Sequence, residues 1–318
     1  MVAKIELSGD AAALTAPEPL ALSWRVSTSL ANARPGEVLL LDEDGQVLSA
    51  SAVRRQQLAG WVGAGGVAGL SMAAITTLMG PIVGLVTGAI FGGLMFRQTR
   101  AWRRARHALV LASAGRRDEA LAEVARLERG AVSEPMRPFL HYLKGKLEWQ
   151  RGNLPDALGL YDRALGAVAQ RRRRAMYWVC AFDRVQLLAV MGKVDAARAA
   201  RAELDTAPRG DYFQLELALT ELVIAFAAGQ ADRLPADDEL YEWAKTALGC
   251  SRFGTNLVLL AWALGQRGDA DMEKLLLREA GPRLTTEFLA ESFPALHAWY
   301  GKRRVEVGAD EDEDPDGL

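Results

Sequence analysis

The chain is poor in the residues on which disulfide scaffolds, metal centres and most hydrolytic sites depend. Its 318 residues include two cysteines and three histidines. Cys180 and Cys250 cannot build a disulfide framework, and they suit a reducing compartment. Both lie in apolar helical stretches, the setting of buried structural thiols. His107, His141 and His297 each stand alone, without a second ligand at metal spacing. No Ser/His/Asp, Cys/His or phosphate-loop arrangement occurs, so the expectation is a chain that is not an enzyme and carries no cofactor. Net charge is −2, and no basic face interleaved with aromatics is present, which argues against a nucleic-acid partner. The first ten residues are mixed polar, so no secretory signal is expected there.

A second absence is local. Between Arg55 and Arg97 there is no charged residue. A bilayer needs about 20 apolar residues per helix, and one helix of this whole segment would be about 60 Å long at 1.5 Å per residue. Gly80-Pro81 near the middle is a break signal. The segment therefore reads as a transmembrane helical hairpin, with arms over residues 58–79 and 82–96. Arg54 and Arg55 precede it; Arg97, Arg100, Arg103, Arg104 and Arg106 follow, which favours both ends on the cytoplasmic face. Gly80, Gly84, Gly88 and Gly92 form one stripe of small residues on the second arm. Gly65, Gly69, Ala73 and Thr77 form another on the first. Such stripes let backbones approach in lipid, and the segment resembles the glycine-zipper stretches of bacterial membrane proteins. The stripes can pack within one hairpin or between copies, which leaves a homo-oligomer open.

The first fifty residues read as a small β-rich element. Residues 3–7, 20–26 and 37–41 are short apolar or alternating runs. Asp42-Glu43-Asp44-Gly45 is a turn from which residues 46–48 return.

From residue 101 onward apolar residues recur at helical spacing, and a period is visible. Gly115, Gly152 and Gly192 open stretches of like pattern: Gly115 to Ala120-Leu121, Gly152 to Ala157-Leu158, and Gly192 to Ala197. Weaker echoes begin at Gly229 and Gly268. The five glycines fall 37, 40, 37 and 39 residues apart. This pattern resembles the tetratricopeptide repeat family, with Gly145 as the small residue of a first helix and Ala157, Tyr161 and Ala164 on the packing face of a second. Val185 replaces the small residue in the third repeat, residues 230–239 are an insertion in the fourth, and Glu273 replaces the alanine in the fifth. The fold class expected is mainly α: an α-solenoid of helix pairs in which each pair buries its neighbour's apolar face. A single capping helix is expected over residues 285–299. The domains expected are 1–53 (β-rich element), 54–100 (membrane hairpin), 101–304 (helical repeats) and 305–318 (acidic disordered tail).

The resemblance implies a groove lined by the first helix of each pair. By position, the partner-binding candidates are Trp102, Phe139, Tyr142, Lys146, Trp149, Phe182, Gln186 and Trp262, with Glu216 and Leu219 among the further lining residues. This apolar and aromatic set suits a peptide or helix of a protein partner. The run Arg171, Arg172, Arg173 and Arg174 is a candidate for anionic lipid. Together these readings describe a cytoplasm-facing adaptor tethered to the inner membrane. The alternative is a self-assembling glycine-zipper component, a ring or pore, with the repeats as its recruiting module.

Overall fold

A computed structural model of the chain describes residues 28–31, 39, 41–49, 51–52, 55, 81–130, 133–169, 175–250, 253–284 and 286–308. The architecture is mainly helical and consistent with an α-helical solenoid. It divides into two compact units, one of residues 48–140 and one of Met1–Val47 with His141–Leu318.

In the unit of residues 48–140, helix α1 (Pro81–Ser113) packs against α2 (Arg117–Glu128). Helix α1 is 33 residues long. The expected return arm and the expected first helix of the repeats are thus one continuous helix, and the anticipated boundary at residue 100 falls inside it. No glycine or proline stands between Phe96 and Ser113, and Arg, Ala, Gln and Leu are strong helix formers. The switch from apolar to basic composition does not interrupt the helix. A core of Ala105, Leu127, Met136 and Leu140 closes the unit, with Trp102 and Phe139 packed on it. No helix among the described residues is long and apolar enough to cross a membrane. The expected first arm, including Gly65 and Gly69, lies outside the described residues, as does Gly80. Gly84, Gly88 and Gly92 lie on α1.

The other unit contains α3 (Arg137–Gln150, from His141 onward), α4 (Leu154–Val168), α5 (Ala175–Val190), α6 (Val194–Leu204), α7 (Asp211–Ala228), α8 (Asp237–Leu248), α9 (Gly254–Gln266) and α10 (Ala270–Ala280). Two short helices follow, α11 (Thr286–Ser292) and α12 (Pro294–Glu306). The expected single cap is therefore a pair. Proline at residue 294 disfavours helical geometry at the residue before it, and Phe293 leaves the helical region, at φ −137° and ψ 62°, before α12 begins.

The five periodic glycines all have positive φ, from 62° to 82°. Each ends its helix with the same two bonds, shown by Gly152 N–H to the Trp149 carbonyl and Asn153 N–H to the Glu148 carbonyl, both 2.9 Å. The residues after Gly115, Gly192, Gly229 and Gly268 repeat the pattern. This double bond caps the carbonyls a helix leaves unpaired, and it needs a left-handed residue that only glycine adopts at little cost. Five residues on from the first three glycines, Ala120, Ala157 and Ala197 are fully buried. Gly145 lies against Tyr161 so closely that a Cβ there would be 2.9 Å from the ring. In the fifth pair, Glu273 at the alanine position is 2% exposed. Its carboxylate receives Nε and Nη2 of Arg303 on α12 at 2.7 and 2.9 Å.

The expected N-terminal β-rich element lies mostly outside the described residues. Among the described residues its β structure is one antiparallel bridge, Leu41 with Val47; residues 3–7 and 20–26 lie outside them. The turn between is closed by Asp42, whose Oδ1 accepts the Asp44 and Gln46 amides at 3.0 and 2.8 Å. That turn docks on the start of α7: Gly210 N–H donates to the Asp44 carbonyl at 3.0 Å and Tyr212 N–H to the Gly45 carbonyl at 3.3 Å. The first amides of a helix have no partner within it, and here the turn supplies one for each of two. Leu30 and Val47 then pack with Leu215, Cys250 and Phe253.

Candidate functional site

The first helices of successive pairs, α5, α7 and α9, pack side by side, and their shared face with α3 holds a cavity of about 170 Å³. Lys146 and Gln150 of α3, Asp183 and Gln186 of α5, and Tyr212 and Glu216 of α7 form its polar wall. Phe253 and Asn256 stand at the start of α9, while Phe288, Ser292 and Phe293 come from α11 and the residue after it. Helix α11 is locked there because the Trp149 indole N–H donates to the Ser292 carbonyl at 2.9 Å. The Trp149 and Phe293 rings meet at 5.4 Å between centroids.

The charges are arranged unevenly. Lys146 Nζ lies 3.4 Å from Asp183 Oδ2, and about a third of its side chain remains exposed (32%). Burial alone would push the Lys146 ammonium down, but Asp183, with Tyr212 and Glu216, outweighs it and holds its pKa above the usual lysine value. Glu216 accepts Gln186 Nε2 at 3.0 Å, and Gln186 also donates to Thr220 Oγ1 at 3.1 Å. Burial first, and the Asp183 carboxylate second, raise the Glu216 pKa against the opposing pull of Tyr212, Lys146 and Gln186. Burial likewise raises the phenols: Asp183 adds to it at Tyr142 and Tyr161, and Glu216 at Tyr212. These hydroxyls stay protonated and serve as donors to the carboxylates.

Of the residues anticipated for partner binding, the cavity gathers Lys146, Trp149 and Gln186, together with Glu216 and Leu219. Tyr142, Phe182 and Trp262 are buried in the core of the same unit. There Tyr142 stacks near Tyr161 and Phe182 near Phe213, while Trp262 meets Phe226 edge-on. Trp102 and Phe139 pack on each other in the unit of residues 48–140, centroids 5.8 Å apart. The expected open apolar groove is thus, in this unit, a small mixed-charge cavity walled by the chain's own α11. Asp183, Tyr212, Gln150, Ser292, Phe253 and Asn256 were not anticipated. A usable signal existed for Asp183: it is the lone carboxylate in α5, whose other residues are almost all apolar, and charged residues are seldom buried without a partner. Arg171, Arg172, Arg173 and Arg174 lie outside the described residues. Cys180 and Cys250 are both buried and outside any disulfide, and burial raises the Cys180 pKa. Comparison with family models, curated proteins and solved structures finds no match to this chain.

Proposed function

We propose that the chain is a membrane-anchored adaptor of tetratricopeptide type, which holds a protein partner at the cytoplasmic face through its row of first helices. The observation that carries this reading is the repetition of one helix stop at five glycines, three of them followed by a buried alanine. Stacked pairs of this kind place a row of like helices side by side, a surface suited to a partner segment. The anchoring part is supported by α1, where Ile90, Leu94 and Phe96 are 60%, 60% and 69% exposed. Arg97, Arg100, Arg103, Arg104 and Arg106, all exposed or nearly so, follow directly, as in helices that seat apolar residues in lipid and basic ones at the headgroups.

Two measurements test it. Alkaline carbonate washing of membranes should leave the chain in the pellet; release into the supernatant overturns the anchor. Affinity purification after cross-linking should recover a protein partner whose yield falls with Glu216→Gln. A partner recovered equally well by that variant overturns the role given to the first-helix face. Self-assembly through the glycines is a second reading, favoured by Gly92 and Gly93, where an added Cβ meets nothing within 4 Å. Gly92→Leu should then reduce the oligomer size in detergent, and an unchanged size removes it.

A further inference from the structure

The cavity between α3, α5, α7 and α11 has one ammonium, from Lys146, facing two carboxylates, from Asp183 and Glu216. Lys146 is engaged by Asp183 at 3.4 Å. Glu216 makes no ion pair among the described residues; its hydrogen-bond partners, the Gln186 amide and the Tyr212 hydroxyl, are neutral. With all three groups ionised the site carries one uncompensated negative charge in a largely dehydrated wall, which is costly unless a cation arrives. Two further polar atoms lack partners among the described residues: Oε1 of Gln150 and Oγ of Ser292. Both residues line the cavity and are 7% and 1% exposed. Buried polar atoms are rarely left unpaired, and both of these can accept a hydrogen bond. The rest of the wall is mostly aromatic, with Trp149, Tyr212, Phe253, Phe288 and Phe293 beside Leu219, Thr255 and Asn256. Aromatic faces attract cations and repel anions.

We propose that this cavity is a binding site for an organic cation, a primary ammonium or guanidinium on an apolar stem, supplied by a lysine or arginine side chain of the partner protein. Glu216 neutralises the charge, Gln150 Oε1 and Ser292 Oγ accept its hydrogen bonds, and the aromatic rings cover the stem. Lys146 opposes the ligand and sets the limit on its affinity. The partner as source rests on the adaptor reading above; the cation chemistry rests on the cavity alone.

The test is calorimetric titration of the purified full chain with N-acetyl-lysine amide, N-acetyl-arginine amide and phenethylammonium. N-acetyl-norleucine amide and N-acetyl-glutamate serve as neutral and anionic controls. The cations should bind at least about tenfold more tightly than the neutral probe. Glu216→Gln should weaken them about tenfold, and Lys146→Met should tighten them by a similar factor. Loss of binding in Glu216→Gln alone could reflect damage to the fold; a gain in Lys146→Met cannot. No cation binding up to about 10 mM, equal binding of the norleucine probe, preference for the anion, or no tightening in Lys146→Met overturns the proposal. Tighter binding of phenethylammonium than of both amino-acid amides overturns the assignment to a partner's side chain. Because the titration needs neither membrane nor partner, its failure leaves the adaptor reading to be judged by the purification experiment.

Discussion

Gly210→Ala isolates the docking of the N-terminal turn on α7. The backbone at Gly210, φ −68° and ψ 153°, is one that alanine adopts freely, so the substitution carries no conformational penalty of its own. It should even stabilise by about 0.4–1 kcal/mol through the unfolded chain. The obstacle is space: a Cβ there would lie 2.1 Å from the Asp44 carbonyl oxygen and 2.5 Å from the Gly45 carbonyl carbon. Both are backbone atoms and must retreat by about 1 Å to reach ordinary contact, about 3.4 Å. The two docking bonds, at 3.0 and 3.3 Å, cannot survive that shift. Each is worth about 0.5–1.5 kcal/mol, so the net loss is about 1–2 kcal/mol, or roughly 2–8 °C in Tm for a unit of this size. Differential scanning calorimetry reads the loss, and hydrogen exchange should show faster exchange at positions 210 and 212. Gly166→Ala is the matched control. That glycine lies inside α4 with nothing within 4 Å of an added Cβ, so the same chemical change should stabilise by up to about 1 kcal/mol. An unchanged Tm and unchanged amide protection in Gly210→Ala, alongside the expected gain in Gly166→Ala, would refute the docked turn.

Three other substitutions probe the packing and the cavity. Gly145→Ala should destabilise by about 1 kcal/mol in denaturant titration, because overpacking against the fully buried Tyr161 costs about 1–3 kcal/mol and the gain in helix propensity returns about 1; a stabilised variant would contradict the close contact of α3 and α4. Trp149→Phe leaves the Ser292 carbonyl without its donor, a cost of about 1–3 kcal/mol, and should speed amide exchange in α11 selectively; uniform exchange changes across the unit would contradict the local tether. Glu216→Gln addresses pH. The folded pKa of Glu216 is raised, so between the ordinary carboxylate value and the raised one the folded state holds more protons than the unfolded, and stability falls as pH rises through that window. Asp183, Lys146 and Tyr212 are the groups facing it. The variant, with no charge to bury, should lose that decline and gain stability on the alkaline side relative to wild type; parallel stability-pH curves would contradict the assignment.

What could be read from the chain before its structure follows the range of the interactions. The glycine at each helix stop answers a local demand, a positive φ within one turn of its own helix, so its period shows in the chain itself. The alanine five residues on is almost as local. The cavity is not, since Lys146 meets Asp183 across 37 residues and Trp149 meets Ser292 across 143, distances over which no spacing rule operates. Tyr142, Phe182 and Trp262 were expected to face a partner because their positions on the first helices resemble those of lining residues. They are buried because neighbouring helices occupy that side, with Tyr161 against Tyr142, Phe213 against Phe182 and Phe226 against Trp262. The onset of arginines at residue 97 suggested an end that the backbone does not have, since α1 runs on to Ser113.

The Glu273–Arg303 pair has a consequence for the length of the array. A buried alanine at this position can receive any following pair of similar shape, so an array built only of such units has no built-in end. A buried carboxylate can be followed only by an element that delivers a cation to one place, and α12 does so. The position that departs from the repeat therefore acts as a terminator written into the last unit. Splicing a sixth helix pair after α10 would strand a charge in the core unless Glu273 were first returned to alanine, and so would ending the chain before Arg303.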